Sequence, residues 1–215
     1  MEKRVAADLG SLTRIWTYPV KSLRGIAHDS VAVEESGLAG DRRAALFVAT
    51  EEHARSGKTY RGKEDSRLHL LDDPDHARRA AEERGVSLEV HVNGERHFDA
   101  GIVSLILDCW IGEVERSLGR RLDPLRWRPN FLIASAREVP ESELVGARLG
   151  MGSVVLRVWK PIGRCVTTTY DQQTGVSDPE VLSFVARERN NQMGVYCDVE
   201  RSGTASVGDA LRILA

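Results

Sequence analysis

The sequence is poor in aromatic residues, sparing with cysteine and without a long apolar run. Aromatics make up 6% of the 215 residues, and there are three cysteines. An odd number of cysteines without CxxC spacing speaks against a disulfide framework and a compact zinc site, so Cys109, Cys165 and Cys197 must each be judged on context. The longest apolar stretch, Ile102 to Ile111, is broken by Ser104 and Asp108 and is far too short for a membrane span. The opening MEKRVAADLG has basic residues but no apolar stretch behind them, which leads to the expectation of a cytoplasmic protein with no membrane partner. Charge of one sign is lacking as well. With 30 Lys and Arg against 32 Asp and Glu, no global field argues for nucleic acid, an anionic surface or a highly charged substrate. Charge-based recognition must therefore be local. The six histidines are scattered, without HExxH spacing, and there is no GxSxG elbow, repeat or low-complexity tract.

What is present is a series of short strand signals. SLTRIWTYPV, DSVAVEESG and AALFVAT read as strands separated by turns at Gly25, Gly37 and Gly40. Asp73 followed by Pro74 predicts a short polar surface helix that stops near Gly85. Strict alternation through Val86, Leu88, Val90 and Val92, followed by Asn93-Gly94 and ERHFDA, predicts a hairpin. Apolar residues at helical spacing predict a buried helix from about Ile102 to Leu118, ending at Gly119 and carrying Cys109 in its middle. A basic segment then turns through Pro129 into another strand. SVVLRVWK, a helix at SDPEVLSFVARER capped by Asp178, and the strands MGVYCDVE and ALRIL complete the chain. Many strands and few helices give a β-rich α+β fold, compatible with a barrel.

Two of the cysteines fit a core. Cys109 lies among Leu105, Ile106, Trp110 and Ile111, and Cys197 alternates with Val195 and Val199. Cys165 differs, because it stands in KPIGRCVTTTYDQQTG after Gly163, beside Arg164 and ahead of three threonines. A neighbouring cation favours the thiolate, the form that attacks or binds metal, but composition alone leaves a plain surface loop equally open. The arginines at 116, 120, 121 and 126 read as a solvated face. Arg128 is different, wedged between Trp127 and Pro129 ahead of an apolar strand, where a guanidinium could grip a phosphate or carboxylate. Lys21 and Ser22 after Pro19, and Arg42 after Gly40-Asp41, have the same character.

Taken together, Tyr18-Pro-Val-Lys-Ser22, Gly37-Leu-Ala-Gly-Asp-Arg42, Trp127-Arg-Pro-Asn130, Lys160-Pro-Ile-Gly-Arg-Cys165, Thr168-Thr-Tyr-Asp-Gln-Gln-Thr-Gly175 and Val207-Gly-Asp209 resemble, in order, the markers of MOSC domain proteins. These are relatives of the molybdenum cofactor sulfurase C-terminal domain and include the mitochondrial amidoxime reducing component. The resemblance runs from about residue 12 to residue 214. It implies a MOSC-type β-barrel core with a few peripheral helices, divided into an N-terminal-like β portion (1–98) and the MOSC domain (99–215), packed as one unit around a cofactor cleft.

The resemblance further implies that Cys165 ligates molybdenum through its thiolate. Gly163 and Arg164 would line the molybdenum cofactor (Mo-molybdopterin), Arg128 and Asn130 would hold its phosphate and pterin end, and Lys21, Ser22 and Arg42 would add contacts. Asp171 is either a proton shuttle or the former of its own turn. The expected activity is reduction of N-hydroxylated small molecules. Electrons would come from a separate electron-transfer protein or reductase, because no CxxxxCxxC ferredoxin pattern is present. The alternatives are a sulfur carrier or sulfurtransferase using a persulfide on Cys165, and a cofactor-binding protein without turnover. One departure stands out. Asp99-Ala-Gly-Ile102 lacks two side-chain hydroxyls common in the family, and backbone NH groups at the start of the long helix could stand in for them.

Overall fold

A computed structural model describes residues 7–92, 94 and 96–214. The N-terminal stretch supplies β1 (Ala7–Thr17), β2 (Ile26–His28), β3 (Ser30–Glu34), β4 (Gly37–Leu38), β5 (Ala45–Val48), α1 (Pro74–Glu82) and β6 (Leu88–His91). Then come β7 (Val103–Leu107), α2 (Asp108–Leu118), β8 (Phe131–Ser135), α3 (Glu141–Leu144), β9 (Arg148–Met151) and β10 (Val154–Gly163). The chain continues through α4 (Pro179–Glu188), β11 (Gln192–Arg201), β12 (Gly203–Ser206) and β13 (Ala210–Leu214).

Seven strands close a barrel in the order β13-β9-β10-β11-β7-β8-β1, with β13 returning to pair with β1 and β2 continuing outward from β1. All neighbours are antiparallel except β7 and β8, which α2 joins as a crossover. The fold is thus α+β and β-rich. Closure removes the exposed edges that such short strands would otherwise present. The interior is apolar, with Leu12, Leu105, Phe131, Leu156, Val195, Cys197 and Leu211 almost completely buried. β1 pairs with β13 over residues 7–11 and with β8 over residues 10–15, and its register with β13 shifts just before Gly10, whose φ of +135° no other residue adopts easily. A side chain there would overlap the Ala134 carbonyl.

β1 comes from the portion 1–98 yet closes the barrel, and β3 pairs with β12 near the C-terminus, so the two portions share sheets. A second, smaller core of Val20, Leu46, Val48, Leu68 and Leu88 lies around β5 and β6. α1 packs on it through Ala77 and Ala81, starting at Pro74 with Asp73 accepting from the Asp75 amide. This matches its predicted start and mostly polar surface.

Three expectations need correction. Residues 103–107 are strand β7, and the helix begins only at Asp108, so Cys109 sits near the helix start and is half-buried. A run buried on both faces carries no alternation, and apolar spacing alone cannot separate it from a buried helix. The predicted helix start next to Asp99-Ala-Gly-Ile102 is therefore absent, and those residues lead into a strand. The partner of β6 is β5, not residues 95–100. The turn at Asn93 lies partly outside the described residues, and residues 96–98 form no strand. Asp178 precedes α4 without capping it; its carboxylate is taken by Arg120. Among the described residues no helix is long and apolar enough to cross a membrane.

Candidate functional site

Strand ends and loops from both portions border a cleft of about 320 Å³ on the outside of the barrel. Lys21, Ser22 and Arg42 reach it from the N-terminal portion, and Arg128, Gly163, Arg164 and Cys165 from the barrel. Residues separated by more than a hundred positions thus meet in one place, as the predicted set requires. Asn130 and Asp171 are not in the lining.

The backbone is strained where the cations enter. Ser22, Arg42 and Arg128 all have positive φ (73°, 49° and 47°), a conformation that side-chain-bearing residues adopt at a cost of about 1–2 kcal/mol. All three line the cleft. Tyr18 anchors both arginines: the Arg128 guanidinium lies 4.2 Å from its ring centroid and that of Arg42 5.0 Å, while its hydroxyl donates to the Pro129 carbonyl at 3.0 Å. Arg42 is also paired with the fully buried Asp41.

Among the described residues Arg128 pairs with no carboxylate. Its Nη2 donates to the Leu23 carbonyl at 2.8 Å and its Nη1 lies 3.2 Å from His69 Nδ1. A guanidinium has no acceptor, so Nδ1 must accept and the imidazole must be neutral. His69 is 2% exposed; its burial, and then the Arg128 charge, push its pKa down to about 3. Arg164 is held in the same way, by the Trp127 carbonyl at 2.8 Å and the Met193 carbonyl. Burial lowers both arginines to about 10. Neither guanidinium makes an ion pair among the described residues, although Asp99 and Asp41 act on Arg128 and Glu141 on Arg164 from further away, and two desolvated cations so placed form a site suited to an anion. The buried Trp127 Nε1 donor, on a lining residue, has no partner among the described residues.

Of the other lining cations, Lys21, Arg61 and Arg126 are already paired. Lys21 contacts Asp99 at 2.6 Å at the cleft mouth, and Arg61 is bound to Glu64. Desolvation works to raise the Asp99 carboxyl, but Lys21 and the nearby arginines outweigh it and hold it below the usual range. Cys165 is exposed on the rim, at the start of a 3-10 turn over Val166–Thr169, with Sγ 3.1 Å from Thr167 Oγ1. Among the described residues no three His, Cys, Asp or Glu side chains converge on a metal position. A metal held here would draw one ligand, the Cys165 thiolate, from the protein and the others from an accompanying anionic group. The cation pair and the thiol fit such a group.

Asn130 is 1% exposed and every amide atom is engaged inside the protein, by Ser104, Trp16 and Asp41. It braces the ground beneath the cleft. Asp171 accepts from the amides of Gln173 and Thr174 and the Thr174 hydroxyl, and pairs with Arg126, so it forms its turn. Arg126, expected on a solvated face, is instead buried and donates to the Thr169 carbonyl at 2.6 Å. Tyr18, His69, Arg126 and Tyr196 belong to the site without having been singled out for it. The Tyr18 of YPVKS was available as a signal; His69 had none.

A closed barrel carrying an exposed thiol beside a cleft lined by cations defines a class: a barrel whose rim could seat an anionic group. The family model described as MOSC domain matches residues 102–212, more than half of the chain, and the chain belongs to that family. It is 33% identical over 86 residues to the molybdenum cofactor sulfurase of Drosophila mojavensis, a match covering 39% of this chain and 10% of that protein. It is 28% identical over 120 residues to mitochondrial amidoxime-reducing component 1 of Danio rerio, covering 52% and 36%. The matches thus span only about a tenth and about a third of those relatives. Among solved structures, the YuaD protein of Bacillus subtilis superposes with a TM-score of 0.58 at 18% identity, covering 99% of this chain and 98% of that one. YiiM from Escherichia coli gives 0.50 at 11% identity, covering 98% and 70%. These two likenesses concern the fold.

Proposed function

We propose that the chain binds the molybdenum cofactor in this cleft and reduces N-hydroxylated compounds such as hydroxylamines, amidoximes or N-hydroxylated bases, with electrons from a separate reductase. The observation that carries the reading is the convergence of Arg128 and Arg164, held by carbonyls and without an ion pair among the described residues, with the exposed Cys165 thiol. The name of the Danio rerio relative, an amidoxime-reducing component, supports amidoximes as substrates.

In this reading Arg128 and Arg164 hold the anionic part of the cofactor, assisted by Lys21, Ser22 and Arg42, with Gly163 leaving the approach open. Cys165 supplies the protein's metal ligand, since a soft thiolate suits a thiophilic metal. When bound, the cofactor supplies the two electrons that, with two protons, convert R–NHOH to R–NH2 and water. The protein contributes positioning and electrostatics. Tyr18 and His69 fix the Arg128 guanidinium, and Asp99 keeps Lys21 turned into the cleft mouth. The protein is taken to work in the cytoplasm, without a membrane or nucleic-acid partner.

The test is metal and pterin analysis of wild type beside Cys165→Ala, both made in a cofactor-competent host, followed by turnover of an N-hydroxylated compound with reduced viologen as donor. Near-stoichiometric molybdenum in wild type, its loss from the variant, and amine formation are expected. Wild type without molybdenum defeats the proposal. The exposure of Cys165 also favours a second reading, a sulfur carrier that holds a persulfide there. That reading predicts the mass of one added sulfur on Cys165 after incubation with a cysteine desulfurase, absent from Cys165→Ala. Bound cofactor with no amine from any donor would leave a binding protein without turnover.

A further inference from the structure

Arg128, Arg164 and Cys165 account for an anion and a metal ligand, but not for the wall made by Tyr196. On β11 the flanking Val195 and Cys197 are fully buried in the barrel interior, so the strand alternation turns Tyr196 outward, into the cleft. Its register partner on β7 is Ser104, which also lines the cleft. Across from the ring is Gly101, where a Cβ would lie only 2.5 Å from Tyr196 Cβ and Cγ. No other residue fits there unless the tyrosine moves. The missing side chain at 101 is therefore the space that the Tyr196 ring fills, and the ring is packed in place.

The hydroxyl of this fixed ring has no hydrogen-bond partner among the described residues, unlike that of Tyr18. Arg164, Asp99, Arg42 and Cys165 are all near enough to act on it electrostatically. The recognised cleft groups are mostly cations with engaged donors. Ser22, Ser104, Thr167 and Thr168 also bring hydroxyls to the lining, but Tyr196 presents its O–H on an aromatic ring packed in place. Burial raises its pKa above the ordinary phenol value, against the pull of Arg164, so the O–H is retained at neutral pH.

We infer that Tyr196 is a specificity-determining residue that donates a hydrogen bond to the hydroxyl oxygen of an N-hydroxylated substrate, with Gly101 as the position that holds it in place. The inference rests on the function proposed above. Its chemistry is discrimination: a compound with N–OH meets the donor, and the amine lacking that oxygen does not.

The experiment uses molybdenum-loaded protein in the oxidised state without reductant, and measures by calorimetry the affinity for benzamidoxime and for benzamidine. Tyr196→Phe keeps the ring packing and removes the donor. It is expected to weaken benzamidoxime binding roughly tenfold, the size of one neutral hydrogen bond, and to leave benzamidine binding and molybdenum content unchanged. Gly101→Ala, which displaces the ring while keeping the phenol, is expected to show the same selective loss. If it does not fold, Tyr196→Phe decides alone. Equal weakening for both compounds, or no change for either, overturns the inference while leaving the proposed function standing. Wild-type protein that carries molybdenum but binds no N-hydroxylated compound overturns both.

Discussion

Asn130 donates through Nδ2 to the Asp41 carboxylate at 3.0 Å, and this contact ties the RPN segment leading into β8 to the loop carrying Arg42. Through Oδ1 the same side chain accepts from the Ser104 amide and hydroxyl, at 3.0 and 2.9 Å. All three residues are buried. Replacing Asn130 by Ala would strand the Ser104 amide and remove one of the donors neutralising Asp41, a carboxylate with no access to water. Asn130→Ala is therefore expected to cost about 2–4 kcal/mol of stability in urea unfolding. Arg42, which leans on Asp41, would lose its orientation with it. A variant as stable as wild type would mean that Asn130 faces a ligand instead of bracing the floor.

His69 gives the protein a defined response to acid. Its folded pKa of about 3 lies below the unfolded value of about 6.5, so between these values the unfolded chain binds a proton that the native state does not. Stability then falls as pH falls through this window. By pH 5.5 the loss relative to pH 8 from this one group should be roughly 1.4 kcal/mol. His69→Gln keeps a neutral acceptor near Arg128 and cannot titrate. Urea midpoints measured from pH 8 to 5.5 should decline less steeply in the variant than in wild type; parallel curves would exclude a buried neutral imidazole.

Gly10 and Gly57 offer a matched pair for testing barrel closure. Both have positive φ, 135° and 69°, but Gly57 has no atom near its missing Cβ while Gly10 faces the Ala134 carbonyl across β8. Gly57→Ala should cost about 1 kcal/mol, the strain of the left-handed region alone. Gly10→Ala should cost more than about 2 kcal/mol, because β1 must also separate from β8. Equal costs would show that β1 can slip without opening the barrel.

How much of this was readable in the sequence depended on whether a signal was local. Alternation marked Leu88 and Val90 as a strand, but nothing in it named β5 as the partner, because pairing is decided by what buries the apolar face. The junction at Leu107 and Asp108 was hidden because β7 is buried on both faces, and its Val-Ser-Leu-Ile-Leu run continues into the helix without a break in hydrophobicity. Within the candidate site, Lys21, Ser22, Arg42 and Arg128 drew notice as polar groups near turns at strand ends, whereas Gly163, Arg164 and Cys165 joined them as a set only through the family resemblance, and the structure brings all seven to one cleft. Asn130 and Asp171 were visible as residues, but the direction in which their side chains point was not. His69 and Tyr196 act through contacts with Arg128 and Gly101, 59 and 95 positions away, and no local pattern encodes such a contact.

The three cysteines should separate cleanly by reactivity. Cys165 is exposed, Cys109 half-buried and Cys197 fully buried, with burial pushing the Cys197 thiol well above its ordinary range. Iodoacetamide at pH 8 on the cofactor-free protein should modify Cys165 first, Cys109 slowly and Cys197 only after denaturation. Cys165→Ala removes an exposed side chain whose one polar contact among the described residues is with Thr167, so the unfolding free energy should change by less than about 0.5 kcal/mol. Protein from a cofactor-competent host provides the other half of the comparison. There Cys165 should be protected from alkylation in proportion to the molybdenum bound, because a ligating thiolate is not free to react. If Cys165 is modified at the same rate with and without bound molybdenum, its sulfur does not hold the metal, and the exposed thiol would then favour the persulfide reading.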